Sequence, residues 1–313
     1  MHVQRSKIIT KMTFHYLIST ALKGISQVIL IENVVSGLII LSAITIVNYQ
    51  LGIIALVSGM IGTLIGYAGG ADENAVDQGL FGYNSVLVGL SLSLFLDGRM
   101  RWGIAFVGAA FAAILTAAMM HFLKRLDIPV LTFPYILLTW LFLLASYHLQ
   151  VFKLTPELLP QVLSHWRLHI EGDIKLIDGL VNGIGQVYFQ SNFWAGILIL
   201  IAVFWGNWKF GIYTILGTII GWCTAYALGA EYTLLNLGLY GYNAVLAILA
   251  ISQVNDDTRP FAPITGVMAA MITVPITASI DTWLMPYGIP GLTMPFVLVT
   301  WIFIGARKVL PKL

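Results

Sequence analysis

Charge is what this chain has least of. Asp, Glu, Lys and Arg make up 10% of its 313 residues, against about 25% in an average soluble domain. Hydrophobic residues reach 58%, and mean hydropathy is +0.88. A surface that poor in charge is expected to face lipid. Net charge is only +2 and no basic run occurs, which excludes a nucleic-acid-binding role. The single cysteine, Cys223, excludes an intrachain disulfide framework or a cysteine metal cluster; lying in an apolar run, it is expected in the packed interior. No HExxH, no GxSxG and no phosphate-binding glycine loop is present, so neither an enzymatic activity nor a cofactor has a motif behind it. The N-terminal stretch lacks a signal peptide's long apolar core and small-residue cleavage site, so it is expected to be retained, with insertion directed by internal helices. His165 and His169 share a helical spacing but have no third ligand in register, and a solvated face is expected for them. His121 and His148 fall at the far ends of consecutive antiparallel runs, on opposite sides of a membrane.

What the chain does have, it says twice. Residues 128–140 read IPVLTFPYILLTW and residues 289–301 read IPGLTMPFVLVTW. Each copy puts Leu-Thr-x-Pro at the start of an apolar run. Proline suits a helix N-terminus, where its missing N–H would be unsatisfied anyway, and the threonine before it could cap that end. A shift of 159 carries Gln27 onto Gln186, Asn33 onto Asn192, Asn48 onto Asn207 and GLFGYN (79–84) onto GLYGYN (238–243). By the Leu-Thr-x-Pro stretch the shift is 161. The chain is an internal duplication.

Each half carries a short apolar segment and then five longer runs. The halves span 24–149 and 179–313, with a mildly basic interfacial segment at 1–23 and a polar linker at 150–178. Five is an odd number of crossings, so the second half would enter from the opposite side. The expected fold is an all-α polytopic membrane protein: an inverted repeat of two halves, each with five transmembrane helices and one short re-entrant helix. In such folds the site lies near the midplane, where the halves meet. With ten crossings, Arg99, Arg101, Lys153, Arg167 and Lys175 fall on the linker side, and the other eleven of the 16 Lys and Arg fall on the side of the termini. The positive-inside rule makes both termini cytoplasmic and the linker extracytoplasmic.

Ionisable residues inside the runs are few. Glu32 and Asp281 sit near run ends and are expected at the interface. Their scarcity argues against ion coupling and against charged rings, and favours a neutral permeant. The polar groups that recur are uncharged. Gln27 and Gln186 lie in the short segments, and Thr132 and Thr293 open the last run of each half. Buried amides and hydroxyls need partners. The threonines could be simple N-caps and the glutamines could bond to backbone, or the four could line a path and receive a permeant's N–H groups. Tyr83 with Leu87, and Tyr242 with Leu246, are each four apart on one face. Leu30 and Phe189 stand three residues after the glutamines. These six read either as core packing or as a flat apolar slot for a planar solute.

The doubled GLxGYN and LTxP stretches, the glutamine pair and the count of runs resemble the urea transporter family over nearly the whole chain. The resemblance implies a homotrimer of independent pores in the cell (inner) membrane, each passing urea passively along a pseudo-two-fold axis. It puts the family's filter glutamine (or glutamate) on Gln27 and Gln186 and its filter threonine on Thr132 and Thr293. Its slot residues fall on Leu30, Tyr83 and Leu87, and on Phe189, Tyr242 and Leu246. The chain departs from the family in having GYNS and GYNA where GFNG is typical, and Leu30 where Phe is frequent. Alternatives are a facilitator for a short-chain amide or ammonia, or proton-coupled urea transport through Glu32.

Overall fold

The computed structural model describes residues 13–253 and 262–311. Arg5, Lys7, Lys11, Arg259 and Lys312, which carry part of the charge asymmetry, lie outside the described residues.

The halves repeat element by element. The first contains α1 (Phe14–Gln27), α2 (Val34–Val47), α3 (Tyr49–Ala68), a single turn α4 (Glu73–Asp77), α5 (Gly82–Phe95), α6 (Arg101–Lys124) and α7 (Phe133–Ala145). The second contains α8 (Leu176–Gly185), α9 (Phe193–Gly206), α10 (Trp208–Ala227), α11 (Tyr232–Asn236), α12 (Gly241–Gln253), α13 (Ala262–Leu284) and α14 (Met294–Arg307). Two-residue strands, Leu96–Asp97 and Lys153–Leu154, pair antiparallel and tie the end of α5 to the linker. The short segments begin earlier than their apolar runs suggest. α1 starts at Phe14 rather than near residue 24, because Thr20, Ala21 and Leu22 already pack inward. Cys223 is exposed rather than packed; the turn of α10 that carries it buries its neighbour Trp222 instead.

Duplicated asparagines start the helices. Asn33 Oδ1 accepts from Ser36 N–H at 2.9 Å and Asn192 Oδ1 from Ala195 N–H at 3.1 Å, capping α2 and α9. Asn48 and Asn207 cap α3 and α10 in the same way, on Gln50 and Lys209 N–H. A side-chain oxygen here satisfies an amide that has no partner inside the helix. Beyond these caps the helices are apolar on all sides, as buried or lipid-facing helices are.

α3, α6, α10 and α13 (with its 3-10 extension to Tyr287) are long and apolar enough to cross a membrane. α8 with its 3-10 extension (Gln186–Tyr188) is bent by 70° from α9, and the two together would pass the same test as one broken span. α2, α5 and α7 have 14, 14 and 13 residues, about 20 Å each at 1.5 Å per residue, short of a hydrocarbon core of about 30 Å.

Glycines set how closely these pieces approach. Gly79 and Gly238 have φ of +77° and +74°, and a Cβ on them would lie 2.4 Å from Gly24 N and 2.1 Å from Gly183 N. The first glycine of each GLxGYN stretch thus seats its loop against the backbone of the short helix, in both halves alike. The halves then join through equivalent elements, α2 on α9 and α7 on α14. Two hydrogen bonds across the join are reciprocal. Trp140 Nε1 donates to Pro290 O at 2.9 Å, and Trp301 Nε1 donates to Pro129 O at 2.8 Å. Residues 161 apart exchange partners, the pattern of a two-fold contact.

Gly238→Ala adds both a left-handed alanine and a backbone clash, for which about 2 kcal/mol or more is expected. Its melting temperature in detergent should fall by several degrees, whereas Gly103→Ala, where a Cβ meets open space, should melt with the parent.

Candidate functional site

The two Leu-Thr-x-Pro stretches meet. Thr132 Oγ1 and Thr293 Oγ1 are 2.7 Å apart, with the two residues 3% and 4% exposed. Neither hydroxyl caps its own helix. Both threonines sit near φ −90° and ψ +15° (Thr132 −87° and 12°, Thr293 −90° and 18°), away from the extended backbone a capping residue normally adopts.

The cap comes from elsewhere. Asn84 Oδ1 accepts the N–H of Tyr135, in the first turn of α7, at 3.3 Å. Asn243 Oδ1 accepts the N–H of Phe296 in α14 at 3.2 Å. The same asparagines donate through Nδ2 to Leu131 O and Leu292 O, both at 3.3 Å. Tyr83 and Tyr242 donate their hydroxyls to those two carbonyls at 2.7 and 2.6 Å. Leu131 and Leu292 have φ of +51° and +55°, a left-handed backbone that costs a branched residue energy unless its surroundings impose it. A tyrosine and an asparagine fill both lone pairs of each leucine carbonyl and so impose it. Each Tyr-Asn pair therefore bends the chain at the leucine and caps the helix that follows. The threonine between is left with its hydroxyl free to face the other half.

The glutamines are also held symmetrically. Gln27 Nε2 donates to Gln78 O at 3.1 Å, and Gln186 Nε2 donates to Leu237 O at 3.0 Å and to Ser191 Oγ at 2.7 Å. A carbonyl only accepts, so the amide nitrogen is the atom bound. Each Oε1 is left without a protein donor among the described residues. Both the backbone-bonded reading and the permeant-facing one are thus compatible with one side chain: the nitrogen anchors and the oxygen remains.

A cavity of about 360 Å³ gathers Gln27, Leu30, Tyr83 and Thr132 with Lys124 and Phe296. Leu30 and Phe189 have matching left-handed backbones, φ +63° and +60°. Phe189 stands edge-on to Tyr135 of the other half, ring centroids 6.3 Å apart; the repeat-equivalent residues Leu30 and Phe296 share the first cavity. Leu87 and Leu246 are buried in the core, and with Gln186, Phe189, Tyr242 and Thr293 they line neither this cavity nor the next. A second cavity, about 750 Å³, is walled by the linker and contains Asp281, Tyr240, Ile289 and Pro290. The two cavities are related residue by residue: Leu80 and Leu239, Met120 and Asp281, Lys124 and Met285, Ile128 and Ile289, Pro129 and Pro290.

Among residues the sequence did not single out, Asn84 and Asn243 hold the site together, and Tyr135 and Phe296 add aromatic walls. The signal was present: both pairs recur in the duplicated stretches. The remaining ionisable candidates lie apart from it. Glu32 pairs with Lys23 at 2.8 Å, and its side chain is 40% exposed. The backbone N–H of His169 donates to Glu231. Among the described residues, no group of three or more His, Cys, Asp or Glu is placed to hold a metal.

These features define a multi-pass membrane protein whose two halves meet through uncharged hydrogen-bonding groups, the class suited to a neutral solute. The chain matches the urea transporter family over residues 18–308 and belongs to that family, a family of transporters and not of enzymes. It is 27% identical over 288 residues to urea transporter 1 of Ovis aries, covering 90% of this chain and 75% of that protein. Urea transporter 1 of Rattus norvegicus is 26% identical over 288 residues, and that of Mus musculus 27% over 291, with the same coverage.

Asn84→Ala leaves the Tyr135 N–H and one lone pair of Leu131 unsatisfied in a buried site. A loss of about 2 kcal/mol is expected, read as a lower midpoint in denaturant titration of the detergent-solubilised protein. Tyr83→Phe, which removes one of two donors to the same carbonyl, should lose less.

Proposed function

We propose that the chain passes urea passively down its gradient, through a path that runs from the first cavity, past the Thr132–Thr293 pair, to the second. The observation that carries this is the direct bond between two repeat-equivalent hydroxyls that have been relieved of helix capping. The reciprocal tryptophan bonds and the paired cavities support an inverted repeat with a pseudo-two-fold axis through that bond. On this reading each half crosses five times, the shorter apolar helices being completed by their flanks, and both termini lie in the cytoplasm of a cell (inner) membrane. Family membership supports a homotrimer with one path in each protomer.

Urea is planar and neutral, with one carbonyl acceptor and four N–H donors. It must shed water to enter a narrow path. Two hydroxyls bonded to each other use one donor and one acceptor between them. The pair still offers one O–H to a carbonyl oxygen and spare lone pairs to N–H groups, so it can serve both ends of urea. Gln27 lines the first cavity on the way in, with its Oε1 unclaimed by a protein donor among the described residues, and Gln186 is its equivalent from the other half. Leu30, Tyr83 and Leu87, with Phe189, Tyr242 and Leu246, supply apolar walls that favour a flat pose. The tyrosine hydroxyls are committed to Leu131 O and Leu292 O, so the walls they present are rings and not extra polar groups. Ions are excluded because neutral oxygens alone do not compensate their desolvation. Several weak sites in series allow urea to leave as readily as it enters. Glu32 is paired with Lys23 and lines neither cavity, which favours passive passage over coupling.

Proteoliposomes should shrink and recover in a urea gradient faster than empty liposomes, with acetamide, ammonia and glycerol passing more slowly. Urea flux no greater than that of empty liposomes would reject the proposal. Thr132→Val together with Thr293→Val keeps the shape and removes both hydroxyls. Urea flux should drop about tenfold or more, the scale of a lost hydrogen bond in a dry site, while the protein elutes as a single species. Unchanged flux would confine the pair to joining the halves.

A further inference from the structure

Of the five corresponding positions in the two cavities, three carry the same residue and two differ, Lys124 against Met285 and Met120 against Asp281; the second difference is bonded to the main chain. Where the first half has Met120 and Val130, both lining its cavity, the repeat-equivalent residues of the second are Asp281 and Gly291. Asp281 Oδ1 accepts the backbone N–H of Gly291 at 3.0 Å. The glycine is what admits it, since a Cβ at 291 would lie 2.5 Å from that oxygen. In the first half the two positions are apolar side chains lining one cavity; in the second a carboxylate grips the main chain. The gripped residue immediately precedes Leu292, whose left-handed backbone leads directly to Thr293.

We propose that Asp281 is a positioning residue for urea passage: from the cavity beside the linker, its carboxylate holds Gly291 and through it the Thr293 hydroxyl against Thr132. The inference rests on the reading of the threonine pair as part of the path. It makes the two mouths of the path unequal, because Met120 offers no such acceptor to Val130. It also makes passage sensitive to proton binding. An ionised carboxylate makes a charge-assisted bond to the N–H, and a protonated one makes a bond of ordinary strength. The groups around Asp281 include no cation that would pair with it among the described lining residues. Glu157 from the linker, Glu231 before α11 and Tyr240 before α12 share its cavity, and Tyr242 of α12 feels its charge. α10 and α14 put no ionisable side chain into the cavity, and no Lys, Arg or His is among its described lining residues.

The test is urea flux in proteoliposomes buffered identically on both sides, from about pH 8 to about pH 4, across the carboxylate range. Flux above empty liposomes at the alkaline end tests the path itself, whereas the slope with pH tests the role of Asp281. Wild-type flux should fall about fivefold on acidification, the difference between a charge-assisted and a neutral hydrogen bond. Asp281→Asn keeps a neutral acceptor and should sit at the acid-side level at every pH. Asp281→Glu should keep the slope. Asp281→Met with Gly291→Val transplants the first half's packing and should give flux with no slope, which covers the case in which the asparagine variant fails to reconstitute. A flat wild-type profile, or a slope that survives in the asparagine or the double variant, overturns the proposal.

Discussion

Two asparagine amides decide the arrangement of this molecule's centre. A helix that begins inside a membrane leaves amide N–H groups with no water to bond. In each half the nearest available acceptor is the threonine hydroxyl just ahead of the helix, and a threonine so used points back at its own chain. Asn84 and Asn243 reach over from the preceding hairpin of helices and take that N–H instead. The same side chains, helped by Tyr83 and Tyr242, saturate the carbonyls of Leu131 and Leu292 and keep them in a left-handed bend. Everything else at the join follows from hydroxyls that have been turned outward. The cost of the strained leucines, about 1–3 kcal/mol each, is offset by bonds that would otherwise be unmade in a dry interior.

The glycines of the GLxGYN stretches and the asparagines are parts of one device. For Asn84 to reach Leu131, α5 must lie close under the short helix α1, and the bare backbones of Gly24, Gly79 and Gly82 allow it. Gly183, Gly238 and Gly241 do the same in the second half. The carbonyl at the end of that glycine loop, Gln78 O in one half and Leu237 O in the other, also anchors the glutamine nitrogen. A single close approach therefore fixes both the glutamine and the threonine of its half. The reciprocal tryptophan bonds then set the halves against each other at the rims of the opposite cavities, through Pro129 and Pro290.

Much of this was legible in the sequence, because a duplicated chain carries its own comparison. Asn33 with Asn192 and Asn48 with Asn207 were visible as aligned residues and proved to be helix caps. The helix starts at Pro134 and Pro295 were visible for the same reason. Thr132 and Thr293 stood out, but sequence left open whether they cap or face the other half, because that depends on whether another residue takes the N–H. Asn84 and Asn243 were in view inside GLxGYN and carried no signal of their partner 47–53 residues away. The short helices were misplaced because apolar content marks only their buried ends; polar residues such as Lys23 and Gln27 are helical too. Asp281 lies near the end of an apolar run and keeps an exposed surface there; what sequence did not show is that the linker folds beside it to form a shared cavity.

The asymmetries matter as much as the repeat. The polar core follows the repeat closely: glutamine on glutamine, threonine on threonine, asparagine on asparagine. The departures gather in the two cavities. Lys124 lines one cavity where Met285 lines the other, and Met120 stands where Asp281 does. The linker has a place to cover only one of them, with Gln161 N–H on Met285 O and Leu159 and Pro160 packed against Gly288. Among the described residues, the Thr132–Thr293 join is built of uncharged groups, whereas the two cavities hold charged side chains. A neutral permeant gains little from those charges directly. On the proposed reading their effect on it is exerted through the backbone, where the Asp281 carboxylate is bonded to Gly291, two residues before Thr293.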